Sequence, residues 1–411
     1  MKKPKLILTV LLFIIGSLGI YIFVINKDTK DTVTFNDSSL EQSIRNTIGK
    51  TSGKIYPADL ENLTILDLSY SDIGDLNGIE YLTNLKVLDL SGNNLKNIEP
   101  LKALEHLTEL NLFMNVDIGD VSPLCQMEAL EKLNLVRTSV ADIQALKDLK
   151  KLTDLNLSRT KIDDLSPLVC LTQLKNLSIS RCEYVDDQSH LEAIEALELL
   201  TSFDAFDCNM TQIDFLDKLT HLKKLGLSIR KSYDMSVFSD LIVSDLTLSL
   251  EQDVDLSFLS DLNYLSKLTI DYDGTSSLEP ISHLKKLKKL NIFGYVYRGG
   301  GTLKDLTFLE NLTHLEELDL STNEIKDITP LQYLVNLKRL DLSNNRINDI
   351  VALEDLTDLE YLNLSRNQIS VINSLIYLDQ LENLDLSSNK IADKSALDKF
   401  THIKNLIIDE N

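Results

Sequence analysis

Three arginines recur at intervals of 22 residues along the chain: Arg137, Arg159 and Arg181. Their planar guanidinium groups bind carboxylates in a bidentate manner and stack on aromatic rings. Three phenylalanines interrupt a neighbouring position of the same period, where serine is the usual residue: Phe113, Phe206 and Phe293. Arginine and aromatic side chains contribute most to protein–protein interfaces. The chemistry that these residues indicate is therefore non-covalent recognition.

Motifs for catalysis are absent from the sequence. It contains no G-x-S-x-G, no H-E-x-x-H, no P-loop and no paired C-x-x-C. Four of the six histidines stand directly before the leucine or isoleucine that opens a recurring sequence unit: His106, His221, His314 and His402. This is a repeated slot and not a set of converging ligands. We expect no catalytic residue, no cofactor and no metal site.

Composition narrows the class of partner. The 411 residues carry 41 basic and 63 acidic side chains, a formal net charge of −22. Such a surface repels phosphate backbones, so we expect no nucleic-acid partner. With only 14 glycines and 7 prolines the chain is not collagen-like or of low complexity, and four cysteines are too few for a disulfide scaffold. The expected partner is a protein, glycoproteins included.

One sequence repeat recurs throughout residues 63–411. Residues 85–104 read L-x-x-L-x-L-x-x-N-x-L-x-x-I-x-x-L-x-x-L, and most steps between units are 22 residues long. The units open at positions 63, 85, 107, 130, 152, 174, 200, 222, 243, 265, 287, 315, 337, 359, 381 and 403. The sequence therefore contains about fifteen full repeats and a partial one.

The repeat predicts an α/β solenoid. The L-x-L segment alternates with period two and is typical of a short strand, which cannot bury its apolar face alone. Stacked repeats align these strands as a parallel sheet over one continuous core. We expect the asparagine after each strand to point inward and satisfy the turning backbone. It is kept in the first and last repeats, as in Asn93 and Asn389, but is replaced between Thr138 and Tyr295, so we expect regular ends and a less regular middle.

This pattern resembles the leucine-rich repeats of bacterial internalins. The likeness includes the D-I-x-P-L segment at Asp327 to Leu331 and the stretch 35–62 before the repeats, which is similar to the helical cap of that family. Ser38-x-x-Glu41 is typical of a capping box, and Gly49 stands where a helix would stop. The resemblance implies a leucine-rich-repeat horseshoe with its parallel sheet on the concave face, which binds a partner at a bacterial cell surface.

The N-terminal segment predicts export. Residues 6–25 are twenty uncharged residues, about the length of a membrane-spanning helix, after a tail at 1–5 that contains three lysines. We expect a transmembrane signal anchor at 6–25, a cytoplasmic tail at 1–5 and a linker at 26–34. The repeats would then face outward from the cell membrane by the positive-inside rule. Cleavage of the segment and secretion of the repeats is the alternative.

The candidate partner-binding residues lie at outward positions of the predicted concave face. These are the six residues above. Three further candidates, Tyr295, Tyr297 and Arg298, lie in the insertion of the longest repeat, which we expect on one rim of the solenoid. Two interpretations remain open. Asparagines and acids could solvate the arginines while the phenylalanines pack on one another, or these side chains could form a hot-spot patch for an acidic or glycan-bearing partner. The function is accordingly a cell-surface binding scaffold, or a scaffold that holds a protein of the cell's own envelope. The oligomeric state is open.

Two cysteines allow a further alternative. Cys182 and Cys208 occupy the inward asparagine position in adjacent repeats, so their backbones would lie about 5 Å apart, within reach of a disulfide. They could equally be buried thiols that replace asparagine.

Overall fold

A computed structural model of the chain describes residues 11–16, 19–24, 32–182, 188–251, 253–294 and 303–409. These residues form three α-helices, α1 (Ser38–Ile48), α2 (Pro57–Leu60) and α3 (Gln188–Glu195). Their strands are β1 (Leu11–Gly16), β2 (Gly19–Val24), β3 (Ile65–Asp67), β4 (Val87–Asp89), β5 (Glu109–Asn111), β6 (Lys132–Asn134), β7 (Asp154–Asn156), β8 (Asn176–Ser178), β9 (Ser202–Ala205), β10 (Lys224–Ile229), β11 (Asp245–Leu250), β12 (Lys267–Tyr272), β13 (Lys289–Gly294), β14 (Glu317–Asp319), β15 (Arg339–Asp341), β16 (Tyr361–Asn363), β17 (Asn383–Asp385) and β18 (Asn405–Ile407).

Strands β3 to β18 form one open parallel sheet in which each strand pairs with the next along the chain. Equivalent leucines face each other in this register, as Leu66, Leu88 and Leu110 do. Short 3-10 helices such as Glu99–Ala103 form the opposite side of most coils. The apolar positions of the repeat fill the space between the two sides, and Leu90, for example, is fully buried. The predicted leucine-rich-repeat solenoid is confirmed.

The inward asparagines close the turn that follows each regular strand. Asn93 donates from Nδ2 to the carbonyl oxygens of Leu68 and Leu90, each at 2.8 Å, and its Oδ1 accepts the N–H of Ile73 at 2.9 Å. The same bonds recur at Asn345, which donates to Leu320 and accepts from Ile325. One amide thereby satisfies backbone groups of two neighbouring coils, as expected.

Smaller side chains replace part of this function in the next repeats. The hydroxyl of Thr138 donates to Leu135 O at 2.7 Å, and that of Thr160 donates to Leu157 O at 2.6 Å. The thiol of Cys182 reaches the same carbonyl of Leu157 at 3.2 Å. These repeats keep three-residue strands, so the irregular middle is narrower than the loss of asparagine predicts.

The strands of the array are longest at β10–β13. These four strands are six residues long. Ile229, Leu250 and Tyr272 occupy the position at which regular coils turn, and none of the three adopts the left-handed conformation of that turn. The strand therefore continues where the regular coils bend.

The structure resolves the alternative for the cysteines. Cys182 and Cys208 are buried free thiols, and Cys208 donates to Ile179 O at 3.0 Å. Burial raises the pKa of Cys208 to about 12 and also raises the pKa of Cys182. Both thiols are consequently protonated, hydrogen-bonded substitutes for asparagine and not a cross-link.

A helical cap covers the first coil. Helix α1 buries Leu40 and Ile44 and ends at Gly49, which is left-handed with a φ of 67°, as predicted. The expectation that Ser38 caps the helix is wrong by one residue, because Asp37 accepts the N–H groups of Ser39 and Leu40. The second carboxylate oxygen of Asp37 accepts Gly74 N at 2.8 Å and so joins the cap to the first repeat.

The expected helix over residues 6–25 is not found in the described part of this segment. Strands β1 and β2 pair there as an antiparallel hairpin. Isoleucine, valine and aromatic residues favour strands, and Gly16 and Gly19, which flank the connection, disfavour a helix. Among the described residues, no helix combines the length and hydropathy that crossing a bilayer requires.

Loss of the side-chain amide of one inward asparagine should destabilise the array. We expect Asn345→Ala to lower the free energy of unfolding by about 2–4 kcal/mol, because the change leaves buried backbone groups of two coils unpaired. Urea titration followed by circular dichroism measures the effect. Asn311→Ala, an exposed position, is the matched control and should stay within about 0.5 kcal/mol of the parent chain. Equal urea midpoints for the two variants would contradict the structural function of the amide.

Protonation of aspartates in the turns should destabilise the fold at acid pH. Hydrogen bonds from the residue two positions later lower the pKa of Asp120, Asp234 and Asp393 below the usual 3.8. A depressed folded-state pKa adds stability that is complete above the unfolded pKa and is lost as the pH falls through the folded one. Thermal midpoints should therefore be constant between about pH 6 and 5 and fall below about pH 4. A midpoint unchanged at pH 3 would show that these bonds do not matter.

Candidate partner-binding surface on the concave face

The structure places the three recurring arginines on consecutive turns at one edge of the sheet, which we name the arginine ridge. Arg137, Arg159 and Arg181 each follow a three-residue strand by three residues. Their backbone N–H groups donate to the neighbouring coil, at Ser158 O (3.1 Å), Ser180 O (2.8 Å) and Phe206 O (2.6 Å) respectively. Since neighbouring strands lie about 4.8 Å apart, this ladder fixes the spacing of the arginine backbones.

The backbone of the arginine ridge is left-handed. Arg137, Arg159 and Arg181 have φ values of 57°, 59° and 60°. Other regular coils adopt this conformation at the equivalent position, where Asn344 and Gly92 occur. Glycine and asparagine tolerate it better than a long side chain, which costs roughly 1 kcal/mol more. The turn explains the conformation but does not explain why arginine occupies it three times in succession.

The guanidinium groups of the ridge are exposed and only partly paired. Arg181 forms an ion pair with Asp207 at 3.1 Å. Arg137 Nη1 lies 3.9 Å from the sulfur of Met114. Neither Arg137 nor Arg159 forms an ion pair with any residue that the structure describes. Two adjacent cations therefore remain available on a strongly acidic protein.

The three phenylalanines do not form one cluster. They belong to the coils of β5, β9 and β13, which are four strands apart, or about 19 Å at each step. Phe113 and Phe206 are half-buried, whereas Phe293 is exposed. Phe113 and Phe206 lie near the two ends of the arginine ridge, and Phe293 lies outside it. The interpretation that the phenylalanines pack on one another is wrong.

Phe206 instead covers a glycine of the next strand. A Cβ atom at Gly226 would lie 2.7 Å from the ring of Phe206 and 2.8 Å from Asp204 Oδ1, so only glycine fits there. Burial raises the pKa of Asp204, although the hydroxyl of Ser180 donates to its Oδ1 at 2.6 Å. Phe206 thus has a packing function in addition to its half-exposed surface.

A concave groove of about 550 Å³ runs beside the ridge across β4 to β10. Its floor is polar, with amides and charges of both signs. Lys132 and Glu109 form an ion pair across neighbouring strands at 2.9 Å, and this contact raises the pKa of Lys132. The arginine ridge lies on the coils of β6 to β8, which are also part of the groove, so the two surfaces are neighbours.

Two asparagines of the floor present hydrogen-bond donors to this groove. Oδ1 of Asn134 accepts Val136 N at 3.1 Å, and Oδ1 of Asn156 accepts Ser158 N at 3.1 Å. These bonds close the turn and orient both side chains, while their Nδ2 groups bond to no other residue that the structure describes. With the guanidinium groups of Arg137 and Arg159 they form a set of donors that bond to no oxygen acceptor among the described residues.

The other three predicted residues belong to the longest repeat. Tyr295, Tyr297 and Arg298 lie outside the described residues. The described part of the other long repeat forms α3, whose Ile194 is fully buried, so this part of the insertion packs on the core. In the part of the chain that the structure describes, no group of three His, Cys, Asp or Glu side chains is arranged to hold a metal.

Sequence reasoning missed that the strand-end asparagines Asn134 and Asn156 close the turns that follow their strands. It also missed the Phe206–Gly226 contact. A signal for that contact was present, because glycine replaces the usual polar residue in the strand directly after the coil in which phenylalanine replaces serine.

The architecture and the polar concave groove define a leucine-rich-repeat binding scaffold. Models of leucine-rich repeats match residues 335–391, the two-copy form matches 61–103, 83–126 and 128–170, and a further model matches 311–328. The chain is a leucine-rich-repeat protein that resembles internalins in its 22-residue repeat and helical cap. A comparison with curated proteins finds no match.

Several solved structures are similar to this chain. An internalin of Listeria monocytogenes, InlF, is 27% identical over 92% of this chain and 91% of its own, with a TM-score of 0.42. A leucine-rich-repeat protein of Leptospira interrogans is 24% identical over 90% of this chain and 98% of its own, with a TM-score of 0.61. TLR13, solved in complex with ssRNA13, is 21% identical over 84% of this chain and 62% of its own, with a TM-score of 0.55. The latter two similarities concern the fold.

Proposed function

We propose that this protein is a binding scaffold that captures a protein partner on its concave surface. The observation that carries the proposal is the set of unpaired donors formed by Asn134, Asn156, Arg137 and Arg159, which lies where the groove and the arginine ridge meet. Such a set is complementary to the carboxylates and carbonyl oxygens of a partner. The net charge of −22 supports a protein partner over a nucleic acid.

Half-buried aromatic side chains border the donors at both ends, at Phe113 and Phe206. Interfaces commonly place such anchors around polar contacts and thereby exclude water from them. Among the described residues of this surface no nucleophile is paired with a base, which supports binding over catalysis.

The site of action in this proposal is outside the cytoplasm of a bacterium. The three lysines that precede the uncharged residues 6–25 support export of the repeats. The resemblance to internalins supports recognition at a cell surface, and a partner in the cell's own envelope is the second outcome that an experiment must separate.

Neutralising the ridge should weaken capture of the partner. The full-length chain, immobilised, is exposed separately to the producing cell's envelope fraction and to extracts of foreign cells, and bound proteins are identified by mass spectrometry. We expect Arg137→Gln/Arg159→Gln/Arg181→Gln to reduce capture of the specific partner by about tenfold or more, because two unpaired guanidinium groups are lost.

A matched control is available at Arg366, which has the same left-handed turn, with a φ of 55°, in a coil outside the groove. Arg366→Gln should retain capture within about twofold. Equal loss in both variants would indicate a general charge effect, and equal retention would remove the ridge from the binding surface. The source of the captured protein separates adhesion from scaffolding within the envelope.

Export predicts where the repeats are found. Protease added to intact cells should degrade the repeats if they are exposed at the surface, and the culture fluid should contain them if the N-terminal segment is cleaved. A cytoplasmic marker protein provides the control for lysis. Repeats that are retained in cells and remain protected until lysis would overturn the proposal of an extracytoplasmic function.

A further inference from the structure

A second cavity lies on the other edge of the sheet, where the strands begin. We name it the edge groove; its volume is about 670 Å³, and its lining includes Tyr264, Lys286, Lys288, His314, Glu316 and Lys338. It extends from the coil of β12 to that of β16, which is four strand spacings, or about 19 Å. The arginine ridge follows the opposite ends of β6 to β8, so the two surfaces are separate.

Cations and one aromatic ring dominate part of this groove. Tyr264 is 64% exposed, an unusual state for a large side chain beside a cavity. Lys286 occupies the equivalent position of the next coil and forms no ion pair with the described residues. Three lysines and a histidine gathered in one cavity contrast with the net charge of −22 of the chain.

Lysines of the edge groove already bind one carboxylate of the protein, that of Glu316. Glu316 Oε1 lies 2.8 Å from the ammonium group of Lys288, and its Oε2 lies 3.9 Å from that of Lys338. The contact with Lys288 lowers the pKa of Glu316. Lysine ammonium groups in this groove are thus positioned to bind carboxylate oxygens, and Lys286 offers the same group without an internal partner.

The chemical character of the residues that precede the strands changes along the edge groove. From β12 to β16 this row of residues reads Tyr264, Lys286, His314, Asn336 and Asp358, one per coil. Its first half is aromatic and basic, whereas its last member is acidic. An acidic segment would therefore place its carboxylates toward Lys286 and an apolar residue against Tyr264, away from Asp358.

We propose that the edge groove binds a short acidic segment of a protein in extended conformation. At about 3.3 Å per residue, a length of 19 Å corresponds to roughly six residues. Charge complementarity with Lys286 and contact with the ring of Tyr264 supply the recognition. This site is additional to the concave surface, and either can fail without the other.

Fluorescence anisotropy with the full-length chain tests the proposal. The probe is a fluorescein-labelled hexapeptide that contains three glutamates and one leucine, and a peptide with glutamines in place of the glutamates is its control. We expect the acidic peptide to bind about tenfold or more tightly than the control, and Tyr264→Ala/Lys286→Gln to remove about tenfold of that affinity. Lys151→Gln changes a lysine in the same slot of a distant coil and should have an effect within about twofold.

Three outcomes would overturn the proposal. The double variant could bind as well as the parent chain, the acidic peptide could fail to bind, or a single-stranded oligonucleotide of equal charge could displace the peptide at equal concentration. The last result would reveal an unspecific attraction of anions. The triple arginine variant of the ridge should bind the acidic peptide within about twofold of the parent chain, which separates this site from the concave surface.

Discussion

No coil of this protein is stable alone, because a strand of three residues cannot bury its leucines or pair its own backbone. Each coil therefore depends on the next one for both needs. The inward asparagine joins the two requirements, since the amide of Asn93 bonds to carbonyl groups of its own coil and of the preceding coil. This contact also bends the chain after the strand, and that bend sets the position of every side chain at the edge of the concave surface.

Much of the architecture could be predicted because the repeat is a physical period. Leu88 and Leu90 alternate with period two, and the recurrence every 22 residues leaves stacking as the way to bury them. Two features were not predictable in this way. The hairpin of β1 and β2 depends on local strand propensity competing with helix formation in an apolar segment. The long strands β10–β13 continue through the position at which regular coils turn, as β10 does at Ile229.

The candidate surface was predictable in outline but not in detail. The period alone places Arg137, Arg159 and Arg181 on adjacent coils. It cannot show that Asp207 pairs with Arg181 and leaves the other two unpaired, because ion pairs depend on the rotamers of long side chains. It also cannot show whether the oxygen or the nitrogen of the Asn134 amide faces the groove. That orientation follows from the hydrogen bond that Oδ1 accepts from Val136 N in the turn. Tyr264 offered no periodic signal, since its slot contains a different residue in each of the neighbouring coils.

The long strands have a consequence for mechanical load. A solenoid that binds one surface while its body is held elsewhere is pulled along its axis, and this force opens the interfaces between strands one after another. Most interfaces pair three positions, whereas β10 and β11 pair six, and β12 and β13 also pair six. Under tension the flanking coils should separate first, and the block from β10 to β13 should remain as a stiff element that bears the load between the arginine ridge and the last coils.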